Sequence, residues 1–243
     1  QQIGVIRAQT FSDLLDIPAA LATGRKLHGK RVAILTSTGG AGTLVSDDLG
    51  MAGFDTPAPD AGTAEALRAL QTGDHAVLDR NPIDVTLAGL KPDLLRGAIN
   101  VLLKSPSYDA LTIIVGSSSL AMPELLASAI QDCLPNSDKP VIAYVSPHAP
   151  EVGALLTQPG VPAFAAAESC TAALQGMLQA TQLKPQIDAS TSSQPVALGD
   201  LPAGSLDEYQ AKQLFTRFGV PCAGERIVAT PAEAQAGAGE LGG

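Results

Sequence analysis

The stretch that decides the fold is Val32-Ala-Ile-Leu-Thr-Ser-Thr-Gly-Gly-Ala-Gly42. Five residues with the apolar character of a strand run into a glycine turn, and apolar residues at helical spacing follow. The same order returns at Leu111-Thr-Ile-Ile-Val115, which is followed by Gly116-Ser-Ser-Ser119 and by a helical pattern from Pro123. The sequence therefore predicts repeated units of strand, turn and helix.

Two further apolar runs, residues 141–145 and 161–164, are predicted as strands, and residues 90–103 form a clear amphipathic helical pattern. The strands are continuously apolar, which is typical of a parallel sheet covered by helices on both faces. The predicted fold class is therefore α/β, with a doubly wound parallel sheet of flavodoxin-like strand order.

The composition argues against several kinds of partner and site. The 243 residues carry 15 Lys and Arg against 24 Asp and Glu, and the net charge of -9 argues against a nucleic-acid or membrane partner. Cys133, Cys170 and Cys222 are far apart and lack nearby histidines, so neither a disulfide framework nor a zinc site is predicted. No apolar run reaches the ~18 residues of a membrane span, and no export signal is visible, so we expect a cytoplasmic protein.

A polar stretch at residues 181–204 has no apolar periodicity and is interpreted as a linker. Beyond it, Ser205 and Glu208 predict a capping box at the start of a helix. From Ile227 onward we expect one short strand and one alanine-rich helix, too little for an independent core. Because the chain begins without Met and ends just after this helical pattern, we expect a piece of a longer protein.

Four motifs in a fixed order carry a resemblance to a known family. They are Arg31-Val-Ala-Ile-Leu-Thr-Ser-Thr-Gly-Gly-Ala-Gly42, Asn81-Pro-Ile-Asp-Val85, Lys139-Pro-Val-Ile-Ala143 and Gly160-Val-Pro-Ala-Phe164. Together they resemble the third domain of ADP-forming acyl-CoA synthetases, which are relatives of succinyl-CoA synthetase. The resemblance divides the chain into four parts: the tail of a preceding CoA-ligase domain with a connector (1–29), the flavodoxin-like domain (30–180), the linker (181–204) and the truncated start of an ATP-grasp domain (205–243).

This resemblance implies an enzyme, a ligase that interconverts acyl-CoA, ADP and phosphate with acid, CoA and ATP through a phosphohistidine. The cofactors implied for the full-length parent are CoA, ATP or ADP, and Mg²⁺, and we expect none of them to bind this chain tightly. The family's phosphohistidine lies in a Ser-His-Thr-Gly segment, which this sequence lacks. His28, His75 and His148 match neither that segment nor its context, so no catalytic residue and no metal ligand is assigned in this chain.

The site residues implied by the resemblance lie in two strand-end turns. The first turn contains Gly116, Ser117, Ser118 and Ser119 and leads into a helix, whose unpaired N–H groups and positive dipole end favour an anion. By analogy with succinyl-CoA synthetase, two helix starts aim at the phosphohistidine, and this would be one of them. The alternative is that the serines only cap the helix.

The second turn contains Gly39, Gly40, Ala41 and Gly42 and matches neither the dinucleotide nor the P-loop fingerprint, so tight packing explains it as well as ligand contact does. Asn81 and Asp84 are supporting residues, with a structural role near the site favoured over chemistry.

A second interpretation is a ligand-binding regulatory module, because the same set of domains also resembles the amino-terminal half of certain protein lysine acetyltransferases. A third is a stand-alone binder of small molecules, against which the segment from Leu206 argues. The partners expected are small-molecule substrates (acyl-CoA, nucleotide and phosphate) reached through neighbouring domains, with no nucleic acid and no membrane, and a homodimer stays open.

Overall fold

Five parallel strands form the sheet that the sequence predicted. In the computed structural model they are β1 (Val32–Thr36), β2 (Ile83–Asp84), β3 (Ala110–Val115), β4 (Val141–Val145) and β5 (Ala163–Phe164). Their order is β2-β1-β3-β4-β5, and each neighbouring pair is parallel. The residues that the structure describes are 5–70, 78–85, 91–117, 122–183 and 204–242.

The three central strands are buried along their whole length, as their continuous apolar runs predicted. Alternate side chains enter two different core layers: Leu111 and Ile113 pack in one, and Ala110 and Ile114 in the other. Both faces of the sheet are therefore covered. The α/β class and the doubly wound, flavodoxin-like order are confirmed.

Helices cover both faces within the first of two compact units, Gln1–Ile187 and Asp188–Gly243. One core layer takes residues from α3, α4, α5 and α6, and the other from α1, α2 and α7. The helices are α1 (Asp13–Leu21), α2 (Gly39–Met51), α3 (Ala61–Ala69), α4 (Pro92–Lys104), α5 (Pro123–Gln131), α6 (Pro150–Thr157) and α7 (Ala167–Gln182), with a short 3₁₀ helix at Leu134–Asn136.

Helix α1 packs on α7, inside the first unit. Ala20 and Leu27, at and after the end of α1, are fully buried. A Cβ built on Gly176 of α7 would lie 3.1 Å from Cγ1 and 3.2 Å from Cβ of Ile17, so glycine permits the close approach of the two helices. The resemblance linked residues 1–29 to the tail of a preceding domain and a connector, and α1 lies within this range.

The Asn81-Pro82-Ile83-Asp84 segment, for which the sequence analysis favoured a structural role, continues the sheet. Ile83 and Asp84 pair with Leu35 and Thr36 as a two-residue edge strand. Before it, the Asn81 amide replaces a strand partner, since its Oδ1 accepts from the backbone N–H of Ile34 at 3.0 Å and its Nδ2 donates to Val32 O at 2.8 Å. Asn81 therefore continues the hydrogen bonding along the edge of β1.

The second unit contains α8 (Glu208–Arg217) and α9 (Pro231–Glu240). The predicted cap was wrong by two positions. Asp207 is the N-cap: its carboxylate accepts from Gln210 N at 2.8 Å, and Gln210 Oε1 accepts from Asp207 N at 3.2 Å. No strand forms from Ile227 within residues 204–242, because no second strand pairs with it there. The predicted linker falls mostly on residues 184–203, which lie outside the described ranges.

Candidate functional site

The candidate site lies at the carboxyl edge of the sheet, the edge at which β1, β3 and β4 end. The order β2-β1-β3-β4-β5 places a topological switch point between β1 and β3, since the chain leaves these neighbours in opposite directions along the sheet. In open α/β sheets, ligands bind in the crevice outside the strand ends at such a point. The two glycine turns of the sequence analysis follow these two strands.

The two turns touch each other. Gly116, directly after β3, is buried, and a Cβ built on it would overlap Oγ1 of Thr38, which follows β1. The same Cβ would lie 3.8 Å from Oγ of Ser37. A side chain at position 116 would therefore force the Thr38 side chain to move, and glycine avoids this. Thr38 and Ser37 were not predicted as site residues, because no local pattern shows that they face a turn so far along the chain.

Thr36, at the end of β1, fixes the first turn. Its buried Oγ1 accepts from Thr38 N at 2.8 Å and donates to Thr38 O at 3.0 Å. This short-range pair of hydrogen bonds is a local alternative to strand continuation, so the strand ends here and α2 begins one residue after Thr38.

The start of α2 is open. Thr38 is its N-cap residue but makes no side-chain bond to the first-turn amides, and the first helical hydrogen bond runs from Gly42 N to Thr38 O at 3.2 Å. Gly40 is exposed, and a Cβ on it would meet nothing within 4 Å. The backbone N–H groups of Gly39, Gly40 and Ala41 therefore begin a helix beside empty space, which is the arrangement that binds anions.

The segment before and within β2 closes the other side of this helix start. A Cβ on Gly42 would lie 3.1 Å from Cβ of Pro82, so the first turn of α2 packs tightly on the proline. A Cβ on Gly39 would lie 3.5 Å from Oδ2 of Asp84. The Asp84 carboxylate therefore lies beside the positive end of α2. An anion bound there has to share this helix end with it.

Two more helices start along the same edge. The turn after β3 leads to α5, whose N-cap is Met122, and the turn after β4 leads to α6, whose N-cap is Ala149; neither residue provides a side-chain cap. Of the predicted serines, Ser117 is exposed directly after Gly116, whereas Ser118 and Ser119 lie outside the described residues. The edge therefore presents three neighbouring helix starts, those of α2, α5 and α6, whose N-cap side chains leave the first-turn amides free.

The turn after β4 adds His148, which is exposed next to the start of α6. Ser146 N donates to Val115 O at 3.0 Å, so this turn lies beside the end of β3. In the part of the chain that the structure describes, no group of three or more His, Cys, Asp or Glu side chains is placed to hold a metal ion. None of the described helices is both long enough and apolar enough to cross a membrane.

The chain is similar to known proteins in sequence and in fold. The chain is 31% identical over 190 residues to the alpha subunit of acetate–CoA ligase (ADP-forming) II of Pyrococcus furiosus; the match covers 74% of this chain and 40% of that subunit. These relatives are named as a CoA ligase and an acetyl-coenzyme A synthetase, which supports the resemblance to ligases and gives no support to the acetyltransferase interpretation. No protein-family model matches the chain.

Solved structures show the same fold. A crystal structure from Pyrococcus horikoshii superposes with a TM-score of 0.66 at 25% identity over 74% of this chain and 42% of that one. The dinucleotide-forming acetyl-coenzyme A synthetase 1 of Ca. Korarchaeum cryptofilum, in its apo form, gives 0.65 at 25% identity over 74% and 40%. The same enzyme in complex with phosphate and ADP gives 0.64 at 24% identity over 74% and 39%, a likeness in fold alone.

The chain thus spans about 40% of the length of these relatives. Over about three quarters of its length, the chain is therefore similar in sequence to the alpha subunit of an ADP-forming acetate–CoA ligase and similar in fold to an acetyl-coenzyme A synthetase.

Proposed function

We propose that this chain is a segment of an acid–CoA ligase that interconverts acyl-CoA, ADP and phosphate with acid, CoA and ATP. Its own part is to bind the phosphoryl group in transit at the carboxyl edge of the sheet. As the family resemblance implies, that group is carried on a histidine supplied by another segment. The chain binds and orients the phosphoryl group and contributes no catalytic residue.

The observation that carries this proposal is the convergence of the turns after β1 and β3. Gly116 permits the contact with Thr38, and the start of α2 then opens into the crevice at the switch point. A phosphoryl group in this crevice meets backbone N–H donors and the positive end of a helix, and neither has to reorganise when the group arrives.

The start of α2 alone should bind phosphate only weakly. The dipole at a helix start contributes about 0.3–1 kcal/mol to an exposed anion, and hydrogen bonds add to it. Against this stand the nearby Asp84 carboxylate and a net charge of -9. We therefore expect weak binding of free phosphate and a stronger effect when the phosphoryl group is delivered by the rest of the enzyme, because delivery raises its local concentration.

The other components belong to other segments in this proposal. CoA, the nucleotide and Mg²⁺ would be bound outside this chain, and the second unit would continue into the nucleotide-binding domain. Association of two copies remains compatible with this arrangement. We expect the chain alone to have no ligase activity.

The test is a phosphate titration of this chain followed by NMR, with a matched pair of variants at Gly40. The Gly40→Asp change puts a fixed negative charge at the helix start, in space that is open. Because an acidic residue in the first turn stabilises a helix, the fold should be kept. Gly40→Asn adds nearly the same volume without the charge.

We expect phosphate to change the amide chemical shifts of residues 39–42 and 116–117 in the parent chain and in Gly40→Asn. In Gly40→Asp these shifts should not change. Thermal melts establish that all three forms are folded. Amides that stay unmoved in the parent chain, or that move equally in Gly40→Asp, would show that these turns serve packing only.

A further inference from the structure

A second concave surface lies at the opposite, amino edge of the sheet. It is a cleft of about 690 Å³ formed by residues 23–28, which precede β1, by Asp109, which precedes β3, and by residues 137–139, which precede β4. A volume of this size is in the range of small-molecule sites. The cleft shares no residue with the candidate site at the carboxyl edge.

Two cations on the wall of this cleft are fixed in place by backbone carbonyls. The Arg25 guanidinium donates to Lys139 O at 2.8 Å, to Leu134 O at 2.9 Å and to Ser137 O. The Lys139 ammonium donates to Ser105 O at the end of α4. These bonds satisfy backbone carbonyls and leave further donors on both groups, since a guanidinium has five N–H groups and an ammonium three.

The carboxylates in the cleft are partly neutralised. Asp109 forms a two-pronged ion pair with Arg31, through contacts of 2.7 and 3.1 Å, and also accepts from Arg31 N at 3.0 Å. The Arg31 guanidinium lowers the pKa of the Asp109 carboxyl, so this residue stays charged and paired. Asp138 is exposed and is the other carboxylate of the wall.

Two further basic side chains, Lys26 and His28, line the wall of the cleft. Lys26 and His28 are exposed and make no hydrogen bond or ion pair with any described residue. Burial lowers the pKa of Lys139, which shows that part of its hydration has been removed, and a ligand of opposite charge would offset that loss. In a chain of net charge -9, cations therefore outnumber carboxylates around this one cleft.

We propose that the amino-edge cleft is a binding site for a phosphate-bearing small molecule. Arg25 and Lys139 form its fixed rear wall, and Lys26 and His28 close over the ligand from solvent. Fixed cations lower the entropy cost of binding, and phosphate is the anion that such donors recognise with several hydrogen bonds. The proposal does not depend on the function proposed for the carboxyl edge, because the two sites use different residues at opposite strand ends.

The experiment is a titration of the whole chain with inorganic pyrophosphate at low ionic strength, followed by NMR of the backbone amides. We expect shifts at residues 24–28 and 137–139 that saturate. Lys26→Gln should weaken this binding about two- to fivefold, as expected for one partly exposed ion pair. Lys91→Gln removes the same charge at an exposed position before α4 and should leave it unchanged.

If Lys26→Gln disturbs the fold, a second variant, His28→Gln, tests the same cleft. It should also weaken the binding of pyrophosphate. Gly40→Asp separates the two sites, since it should remove shifts at residues 39–42 and leave those at 24–28. Shifts confined to the carboxyl edge, shifts spread over all exposed lysines, or equal weakening by Lys26→Gln and Lys91→Gln would each overturn the proposal.

Discussion

The two units of the chain hold their helices in opposite ways. In the first unit, the five helices that follow strands have no side-chain cap at their N-cap residues, which are Thr38, Lys91, Met122, Ala149 and Ala166. In the second unit, both α8 and α9 have complete capping boxes. Burial shows the reverse: the central strands of the first unit are fully buried, whereas Gly237 is the one buried residue described in α8 and α9.

Local interactions are also denser along the second unit. Lys212 forms ion pairs with Glu208 at 2.7 Å and with Glu225 at 3.1 Å, and Arg226 pairs with Glu240. Such exposed pairs contribute little each, typically about 0–1 kcal/mol. A helix packed on a sheet does not need a cap, so its first N–H groups remain available to a ligand. A helix without a core depends on its cap. The open helix starts of the candidate site are thus a consequence of good packing.

The largest expected difference comes from removing one apolar side chain in each unit. Ile34 in β1 is fully buried, so Ile34→Ala should lower the free energy of unfolding by about 2–5 kcal/mol. Phe215 in α8 is 51% exposed, and Phe215→Ala should change it by no more than about 0.5 kcal/mol. Urea denaturation followed by circular dichroism measures both. Similar losses for the two variants would mean that α8 packs in solution and that the contrast in burial is wrong.

The strands illustrate how far a sequence predicts this fold. The central strands β1, β3 and β4 were predicted because a strand buried on both faces must be continuously apolar. The edge strand β2 was not, since it has two residues and the Asn81 side chain supplies the hydrogen bonds that precede it. Helix α3 was also missed, although its N-cap, Asp60, is a recognisable start signal.

The candidate site was predicted as two separate turns and not as one crevice. Each glycine turn is a local pattern, but the contact of Gly116 with Thr38 depends on strand order. The second unit illustrates a local ambiguity. Ser205 with Glu208 and Asp207 with Gln210 both fit the spacing of a capping box, and the structure uses the second pair. Propensity alone does not choose between overlapping caps.

A smaller effect is expected from the caps themselves. Asp207→Ala removes the acceptor of the 2.8 Å bond from Gln210 N and should destabilise α8 by about 0.5–2 kcal/mol. Hydrogen exchange of the α8 amides should then accelerate about two- to thirtyfold, at 1.4 kcal/mol per factor of ten. Thr38→Ala is the matched change at the N-cap of α2, which makes no side-chain cap hydrogen bond, and it should leave exchange in α2 nearly unchanged. Equal acceleration in α2 and α8 would remove the distinction between packed and capped helices.

The smallest effect concerns α3, the helix of the first unit whose N-cap behaves like those of the second. Asp60 accepts from Thr63 N at 3.0 Å, from Thr63 Oγ1 at 2.6 Å and from Ser107 Oγ at 2.6 Å. The hydrogen bond from Ser107, followed by those from Thr63, lowers the pKa of the Asp60 carboxyl below its usual range. The folded chain therefore binds this proton less readily than the unfolded chain. The stabilisation is complete above the unfolded value of about 4 and is lost as the pH falls through the folded value.

The measurement is the difference in the free energy of unfolding between the parent chain and Asp60→Asn. It is determined by urea denaturation at several pH values from 6 to 3. The advantage of the parent chain should be constant above about pH 5 and should shrink as acid is added, because the carboxyl group of Asp60 binds a proton in the unfolded chain at a higher pH than in the folded chain. Ser107→Ala removes the largest cause of the lowered pKa, so in this variant the acid-induced loss of stability should be smaller and should be complete at a higher pH. An advantage that is the same at pH 3 and pH 6 would show that the carboxylate charge contributes nothing. The α3 cap would then be a matter of shape, and α3 would be stabilised by packing like the uncapped helices around it.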